Sequence, residues 1–558
     1  EQSYVGTTAK HLALSKEEGM GLVPMIFSLL EEEQIIISTG DLRKRYDDWV
    51  NIFNHSELNG EVEYMRPELS NEYIAPTNEI EEKMVEIWEK ILGYRGIGID
   101  NFFELGGDSL KEVEFSIQLK KQMDLEISLV DFFNHPFIKD IAMLSRNKKI
   151  ATKIEEYKAD GVFPVSLEQK RMYMLHMMDK KSLAYNTSLC MVIEGELDKH
   201  KLEAAFCSVV KENDILLSNY YMDGDDIVQK IDRSKEFHLQ TYRILPEEMD
   251  SFIAEFIHPY NLANDLLIRA GVAEMGENKH ILIIDLHHIV ADGISVELIK
   301  QQLVSKYFGN KNVDRRHRQY IDYIYWQQQN VEQGKFDKMQ KYWERQFVGE
   351  EIPQIEWPVK NNFKINKEKS GKSCFFVIEN KLFDKMKELS AKRNVTLYML
   401  LMASYNVLLH KMTSQEEFIV GMPISCRDNE NFSDVVGLMV NTLPIKSKLN
   451  GNLKFQDFLD DVCKCCLNAF ENKNYPYEKI VENVAVYNDL GENSLYDTLL
   501  VMQNMRNTNL NYQGWKISDY EIKGRFSKVA ISFEFAEDSG SLQCKIEYDS
   551  NQFDEKVL

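Results

Sequence analysis

The pattern of apolar and polar positions predicts helices in one part of the chain and alternating strands and helices in the rest. After Ser109, apolar residues recur at Leu110, Val113 and Ile117, the spacing that lines one face of a helix. Residues 281–286 form an almost wholly apolar run, typical of a buried strand, and a second helical pattern follows them. A chain of 558 residues with these patterns must contain more than one domain.

The helical region is compact. Thr77 or Asn78 can cap its first helix, and Gly93 stands where a C-terminal cap is expected. The helix after Ser109, a short apolar stretch and a last helix near residues 136–144 complete a prediction of four helices. From residue 162 onward, strands and helices alternate over a length that again exceeds one core.

Composition narrows the range of functions. A net charge of −23 argues against a nucleic-acid groove or an anionic membrane surface as a partner. No apolar stretch approaches the ~20 residues that span a bilayer, and the first residues lack a targeting pattern. Eight cysteines are too sparse for a disulfide framework, which favours a reducing cytoplasm. The chain begins at Glu1, without an initiator methionine, so we expect it to be part of a longer protein.

Ser109 follows a Gly-Gly turn and stands at the predicted start of a helix, where free N–H groups and the helix dipole favour a phosphate. Taken alone, such a serine is more often a helix N-cap. However, residues 102–110 read Phe-Phe-Glu-Leu-Gly-Gly-Asp-Ser-Leu, which resembles the attachment site of peptidyl and acyl carrier proteins. The resemblance implies that a phosphopantetheinyl transferase attaches 4′-phosphopantetheine covalently to Ser109.

A second motif lies at residues 287–293, His-His-Ile-Val-Ala-Asp-Gly, between the buried strand and the following helix. This order leaves side chains at the end of the strand projecting toward a cleft. A histidine pair can also be structural or bind metal, but no second cluster with ligand spacing accompanies it, so no metal is expected. The string resembles the signature of the condensation-domain superfamily of nonribosomal peptide synthetases, which epimerisation domains share.

Four more segments are similar to ordered motifs of that family: residues 166–172, 320–327, 436–442 and 475–479. The resemblance therefore covers the whole region after residue 161. It implies an α/β fold of two chloramphenicol-acetyltransferase-like lobes that meet in a V, preceded by a small four-helix carrier bundle. The expected lobes are residues 161–335 and 336–558, and the expected carrier is 73–145.

The same resemblance assigns roles to the site residues. His288 would contact the nucleophile of an acyl transfer, with His287 beside it, while Asp292 would fix the turn and Gly293 would let the backbone bend tightly. The family usually has an arginine where this chain has Leu216. In the family that arginine can pair with the motif aspartate, so here Asp292 needs another partner or backbone donors, because an unpaired buried carboxylate is costly.

Three functions stay open from the sequence. The first is condensation, in which the acyl group on Ser109 passes to the amine, or occasionally the hydroxyl, of an acceptor on a downstream carrier domain. The second is epimerisation of a carrier-bound aminoacyl group, and the third is an inactive domain kept as a docking platform. Upstream synthetase domains are expected as further partners.

The remaining segments are predicted from weaker signals. Residues 1–55 resemble the C-terminal end of a ketoreductase domain but lack its nucleotide loop and catalytic pair. Residues 56–72 and 146–160 are polar and are predicted to be linkers.

Overall fold

The structure is a computed structural model. It describes residues 64–67, 73–107, 109–123, 125–127, 129–144, 146–147, 161–276, 278–309, 318–358, 371–427, 429–487, 495–503, 510–512, 514–520, 522, 527–538 and 540–555. The chain divides into two compact units, residues 1–100 and 101–558. The predicted ketoreductase-like segment 1–55 and most of both predicted linkers lie outside the described residues.

The first unit contains one long helix and a short parallel strand pair: β1 (Tyr64–Met65), α1 (Glu79–Leu92) and β2 (Tyr94–Arg95). Asn78 caps α1 by accepting a hydrogen bond from the Glu81 backbone N–H at 2.9 Å, and Gly93 ends it with a φ of 74°. Both caps match the sequence-based prediction, and Trp88 is fully buried on the inner face of α1.

The second unit opens with three helices and a short antiparallel strand pair: α2 (Ser109–Met123), β3 (Leu125–Glu126), α3 (Leu129–Asn134), α4 (Ile138–Leu144) and β4 (Arg146–Asn147). Their core is aromatic. The Phe102 ring lies 5.0 Å from that of Phe132, and Phe132 lies 5.8 Å from Phe115. The four predicted helices are therefore present, one in the first unit and three in the second.

An α/β region follows. Its elements are β5 (Val162–Pro164), α5 (Leu167–Met178), β6 (Asn186–Glu194), α6 (Lys199–Glu212), β7 (Ser218–Asp223), β8 (Asp226–Ile231), β9 (Gln240–Arg243), α7 (Met249–Phe256), β10 (Ile268–Gly276), β11 (Lys279–His287), α8 (Gly293–Phe308), α9 (Tyr320–Glu332), α10 (Asp337–Phe347), β12 (Gly371–Ile378), α11 (Asn380–Arg393), α12 (Leu397–Thr413), β13 (Glu417–Ser425), β14 (Val440–Lys448), α13 (Phe455–Glu471), α14 (Tyr477–Tyr487), β15 (Thr498–Gln503), β16 (Leu510–Tyr512), β17 (Trp515–Asp519), β18 (Ile531–Asp538) and β19 (Ser541–Asp549).

Two six-stranded sheets organise this region. The first has the order β16-β17-β6-β11-β10-β9, and the second has the order β12-β19-β18-β15-β13-β14. Strand β11 runs antiparallel to both of its neighbours, β6 and β10. The buried face of the first sheet packs against α6 and α8, whose core residues include Phe206 and Ile299. Because β11 is paired with a strand on each side, its last residues are held in a defined position.

The hairpin of β16 and β17 joins the first sheet although it follows most of the second sheet in sequence. Trp515 holds it there: its indole N–H donates to the Glu196 carbonyl at 2.8 Å, and its ring lies 4.3 Å from that of Tyr307. The crossing strand therefore ties the two halves of the α/β region together. No helix in the described part of the chain is both long and apolar enough to cross a membrane.

Candidate active site

The two histidines of the motif lie where β11 ends and the chain turns into α8. His287 is the last residue of β11 and is 1% exposed, whereas His288 is partly exposed. Gly293 is the first residue of α8 and is exposed, and its φ lies outside the left-handed region. The structure thus brings all four predicted residues of the turn together, with Asp292 as the N-cap of α8.

The ring of His288 is held in one tautomer. Its Nδ1 lies 2.8 Å from the Ala291 carbonyl oxygen, and its backbone N–H donates to the Tyr185 carbonyl at 2.8 Å. Because a carbonyl only accepts, Nδ1 carries the proton and Nε2 keeps a lone pair. Burial, with the positive charge of Lys528, lowers the pKa of His288 to about 4. The imidazole is therefore neutral near pH 7 and can accept a proton at Nε2.

His287 has a different environment. Its Nδ1 accepts a hydrogen bond from the Ile289 backbone N–H at 3.1 Å, and no described residue bonds its buried Nε2. The ring stands edge-on to that of His176, with 5.1 Å between centroids. Burial lowers the pKa of His287 well below its ordinary value, so this imidazole is neutral too. These contacts give it a packing role behind His288.

Asp292 is fully buried, and its carboxylate is paired by an arginine that the sequence reasoning missed. Arg427 follows β13 and donates from Nη2 to both carboxylate oxygens, at 2.9 and 3.0 Å. The Met439 backbone N–H adds a bond at 2.9 Å, and Ser295 donates from its backbone and its hydroxyl at 2.8 and 2.7 Å. Burial opposes ionisation, but Arg427 and these donors outweigh it, so the pKa of Asp292 lies below its ordinary value.

Asp292 therefore keeps a cationic partner despite the leucine at position 216, whose side chain is fully buried. The only hint in the sequence was a single arginine directly after a buried strand. Because Arg427 belongs to the second half of the α/β region and Asp292 to the first, the pair also fixes the turn relative to the second sheet.

The other motif segments converge on the same place. Ser295 Oγ accepts a hydrogen bond from the Gly437 backbone N–H at 3.0 Å, and the Tyr320 hydroxyl donates to the Leu438 carbonyl at 2.6 Å. A Cβ at Gly437 would lie 1.9 Å from the Tyr320 ring, so only glycine fits there. Ser166 Oγ lies 2.9 Å from the same Tyr320 hydroxyl. Four segments distant in sequence thus form one hydrogen-bonded support under the turn.

Asn441 has a supporting role of its own. Its Nδ2 donates to the carbonyls of Lys473 and Tyr475 at 2.7 and 2.8 Å, while its Oδ1 accepts from the Tyr477 backbone N–H at 3.1 Å. With every polar atom of the buried amide engaged by backbone, Asn441 holds the segment before α14 rather than facing a substrate.

Ser109 lies apart from this turn, as the first residue of α2. Two glycines shape the loop before it. Gly106 has a φ of 79°, and a Cβ at Gly107 would come within 2.3 Å of the Phe102 ring. Such contacts explain the Gly-Gly pair in the motif: one glycine makes the turn and the other permits the packing beneath it.

We expect Arg427→Met to lower the free energy of unfolding by about 3–5 kcal/mol, since it leaves the buried Asp292 carboxylate without its cation. Urea unfolding followed by circular dichroism measures the change. The matched control is Arg243→Met, which removes an exposed ion pair to Glu274 and is expected to change little. Equal midpoints for the two variants would contradict the role assigned to Arg427.

Comparisons with known proteins identify the families that the chain matches. The condensation-domain family model matches residues 159–558, and the phosphopantetheine attachment site model matches residues 82–144. The chain is 33% identical over 493 residues to gramicidin S synthase 2 of Aneurinibacillus migulanus and 32% identical over 495 residues to bacitracin synthase 1 of Bacillus licheniformis. Both alignments cover 88% of this chain but only 11% and 9% of those proteins, so the chain spans about a tenth of the length of these relatives.

The fold is similar to those of solved structures. The X-domain from teicoplanin biosynthesis aligns with a TM-score of 0.65 and 17% identity, over 73% of this chain and 94% of that one. The condensation domain of the monacolin K polyketide synthase aligns with a TM-score of 0.63 and 17% identity, over 71% of this chain and 94% of that one. At such identities the likeness concerns the fold alone.

Proposed function

Because the chain belongs to the condensation-domain family and carries a phosphopantetheine attachment site ahead of that domain, we propose that it catalyses acyl transfer within a nonribosomal peptide or hybrid polyketide–peptide synthetase. The acyl donor is attached through Ser109, and the acceptor is the amine, or occasionally the hydroxyl, of a group on a downstream carrier. The observation that carries the proposal is the fixed, neutral imidazole of His288 at the end of β11.

The surroundings of Ser109 fit 4′-phosphopantetheine. The residue begins a helix of fifteen residues, whose first N–H groups and dipole suit a phosphodiester. The Gly106–Gly107 turn presents that helix start without bulky side chains of its own. When bound, the group supplies a long flexible arm with a thiol that holds the acyl donor as a thioester.

His288 acts on the acceptor. Its Nε2 lone pair accepts a hydrogen bond from the amine and so orients the nitrogen toward the thioester carbonyl. The phosphopantetheine thiol would serve as the leaving group of this transfer, and Nε2 of His288 would take the proton that the amine gives up and return it to that sulfur, so that the imidazole ends neutral. The Ala291 carbonyl holds Nδ1–H throughout, which keeps the ring orientation and stabilises the transient imidazolium.

Asp292 acts through the turn and not on the substrate. Its carboxylate accepts five hydrogen bonds, from Arg427, Ser295 and Met439, so no lone pair is left facing a substrate. Gly293 begins α8 with a φ outside the left-handed region, so the tight bend predicted for it does not depend on glycine. We therefore propose His288 as the catalytic residue, with His287 and Asp292 as its supports and Gly293 as the first residue of the helix that follows.

After correction for protonation of the acceptor amine, we expect the transfer rate of the parent chain to show no further loss as the pH falls through about 6.5, the ordinary pKa of imidazole. The neutral form of His288 is lost only as the pH falls toward its pKa of about 4. Lys528→Met removes a positive charge that lowers this pKa, so the loss of rate at low pH should begin at a higher pH in this variant than in the parent chain. Pre-steady-state rates over pH measure both limbs, with Lys516→Met as the exposed control. A further halving of the corrected parent rate near pH 6.5 would contradict this assignment.

One experiment distinguishes condensation from the two alternatives, epimerisation and an inactive docking platform. The chain is loaded at Ser109 with an L-aminoacyl group and incubated with or without an amine acceptor, after which the acyl group is recovered and its chirality measured. Retained L configuration without acceptor, and an amide product with it, supports condensation. Loss of chirality without acceptor indicates an epimerisation domain, and an unchanged acyl group in both arms indicates a docking platform.

The domain bounds and partners of the chain are proposed from the same family membership. We propose a carrier at residues 73–145 and condensation lobes at 161–335 and 336–558, joined by linkers at 56–72 and 146–160, after a ketoreductase-like remnant at 1–55. A phosphopantetheinyl transferase, upstream synthetase domains and a downstream carrier are the proposed partners. None of the eight cysteines, all of them described by the structure, forms a disulfide, in keeping with a cytoplasmic setting.

A further inference from the structure

The strand that leads to His288 carries a second aspartate, Asp285, whose side chain is fully buried. Three side chains donate to its carboxylate: Ser188 from Oγ at 2.6 Å, Asn186 from Nδ2 at 2.9 Å and Arg269 from Nε at 2.9 Å. The sheet register brings them together, because Asp285 on β11 stands opposite Ser188 on β6 and opposite Arg269 on β10. One charged and two polar side chains therefore hold this carboxylate on a single face of three neighbouring strands.

The Arg269 guanidinium is itself held in place. Its Nη2 donates to the His258 carbonyl, and its Cζ lies 3.8 Å from the centre of the Tyr260 ring. The Tyr260 hydroxyl in turn donates to the backbone carbonyl of Asp285 at 2.7 Å. Asp285 is therefore fixed through both its side chain and its backbone, and it gives Asn186 a fixed point of attachment.

Asn186 lies at the end of the pairing between β6 and β11. It is the first residue of β6 and stands opposite His287, the last residue of β11. One residue further on, the His288 N–H donates to the Tyr185 carbonyl at 2.8 Å. The last hydrogen bond between two strands opens more readily than those inside the sheet. Asn186 opposes this opening, because its side chain ties the residue next to Tyr185 to the buried Asp285.

This last hydrogen bond affects the geometry of the catalytic imidazole. The His288 ring is held by the contact of Nδ1 with the Ala291 carbonyl, and its backbone is held by the Tyr185 carbonyl. A shift of the Tyr185 carbonyl would therefore move the backbone of His288 and, with it, the direction in which Nε2 faces the acceptor. A misplacement of about 1 Å at a reacting group can cost about 10²-fold in rate.

On the basis of the proposed function, we propose that Asn186 is a positioning residue for the transfer. Anchored on Asp285, it holds the Tyr185 carbonyl that fixes the backbone of His288. Both N–H bonds of its amide are engaged, by Asp285 and by the His258 carbonyl at 3.2 Å, so Asn186 has no donor left for an acceptor. Its loss therefore lowers the rate of transfer without changing the affinity for the acceptor.

The test compares Asn186→Ala with its matched control, Ser188→Ala, in the full chain. Each variant removes one hydrogen bond to the same buried carboxylate, but only Asn186 adjoins the carbonyl that holds His288. Hydrogen exchange is followed by mass spectrometry with fragmentation that resolves the His288 amide. Single-turnover transfer of an N-acetylalanyl group from Ser109 to the N-acetylcysteamine thioester of alanine is measured over a range of acceptor concentrations. Asn186→Thr, with a residue that favours strands, replaces Asn186→Ala if that variant does not fold.

We expect the His288 amide to exchange about three- to tenfold faster in Asn186→Ala than in the parent, the effect of losing roughly one net hydrogen bond. The rate of transfer at saturating acceptor should fall about ten- to hundredfold, with the half-saturating acceptor concentration unchanged. Ser188→Ala should match the parent in both measurements. Equal exchange of the His288 amide in the two variants, or equal rates of transfer, would overturn the assignment.

The exchange measurement needs no substrate, so it separates this assignment from the proposed function. A loaded parent chain that transfers nothing would overturn the proposed function. Unchanged exchange of the His288 amide in Asn186→Ala, beside a parent chain that does transfer, would overturn only the role of Asn186.

Discussion

Ser109→Ala is expected to abolish attachment of phosphopantetheine and, with it, all transfer from the chain. The hydroxyl of Ser109 is the nucleophile that the transferase requires, and alanine provides no oxygen for the phosphodiester. The variant should keep its fold because alanine is a good helix former at the start of α2. Intact mass after treatment with a phosphopantetheinyl transferase and coenzyme A measures the result directly.

The matched control is Ser116→Ala, on the same helix, where the hydroxyl only donates to Glu112 at 2.7 Å. This control should gain one prosthetic group, as the parent does. An undiminished mass increase in Ser109→Ala would mean that another residue is modified, and the assignment of the carrier site would be wrong.

His288→Ala is expected to lower transfer by roughly 10²–10⁴-fold while leaving the loading of Ser109 intact. The loss combines two effects, removal of the proton acceptor at Nε2 and loss of the group that orients the amine. Loading needs only Ser109 and an external enzyme, so it should proceed at the parent rate. Quenched-flow measurement of acyl loss from the carrier separates the two steps.

His238→Ala is a suitable control because that imidazole is exposed and lies beside Glu203 and Glu236 on the surface. Its transfer rate should equal that of the parent. If His288→Ala also transferred at the parent rate, the imidazole would not take part in the reaction, and orientation by other groups would have to account for it.

Both candidate sites were predicted from motifs that are local in sequence and resemble those of a known family. The Gly-Gly pair before Ser109 has two local causes. Gly106 adopts a left-handed φ, and the Phe102 ring packs too close to Gly107 to leave room for a Cβ. The turn at 287–293 is also local, because a buried strand, an N-capping aspartate and a helix follow one another without interruption.

The features that could not be predicted from the sequence depend on contacts between segments that are distant in sequence. The partner of Asp292 lies 135 residues away, and nothing near Arg427 in sequence marks it as that partner. The hairpin at β16 and β17 poses the same difficulty, since strand pairing with β6 is decided by packing such as that of Trp515 against Tyr307. Hydrophobic periodicity predicts that a strand exists but not which sheet it joins.

The central claim is that an acyl group attached at Ser109 passes to an amine through the site at His288. Intact-mass spectrometry of the acyl-loaded chain, mixed with an aminoacyl-loaded downstream carrier, tests it most directly. The chain should lose the mass of the acyl group, and the acceptor carrier should gain the same mass. Hydroxylamine should cleave only the thioester that joins the product to the acceptor carrier and should leave the new amide intact. An acyl group that stays on the chain, or that appears as free acid without any gain by the acceptor, would contradict the account.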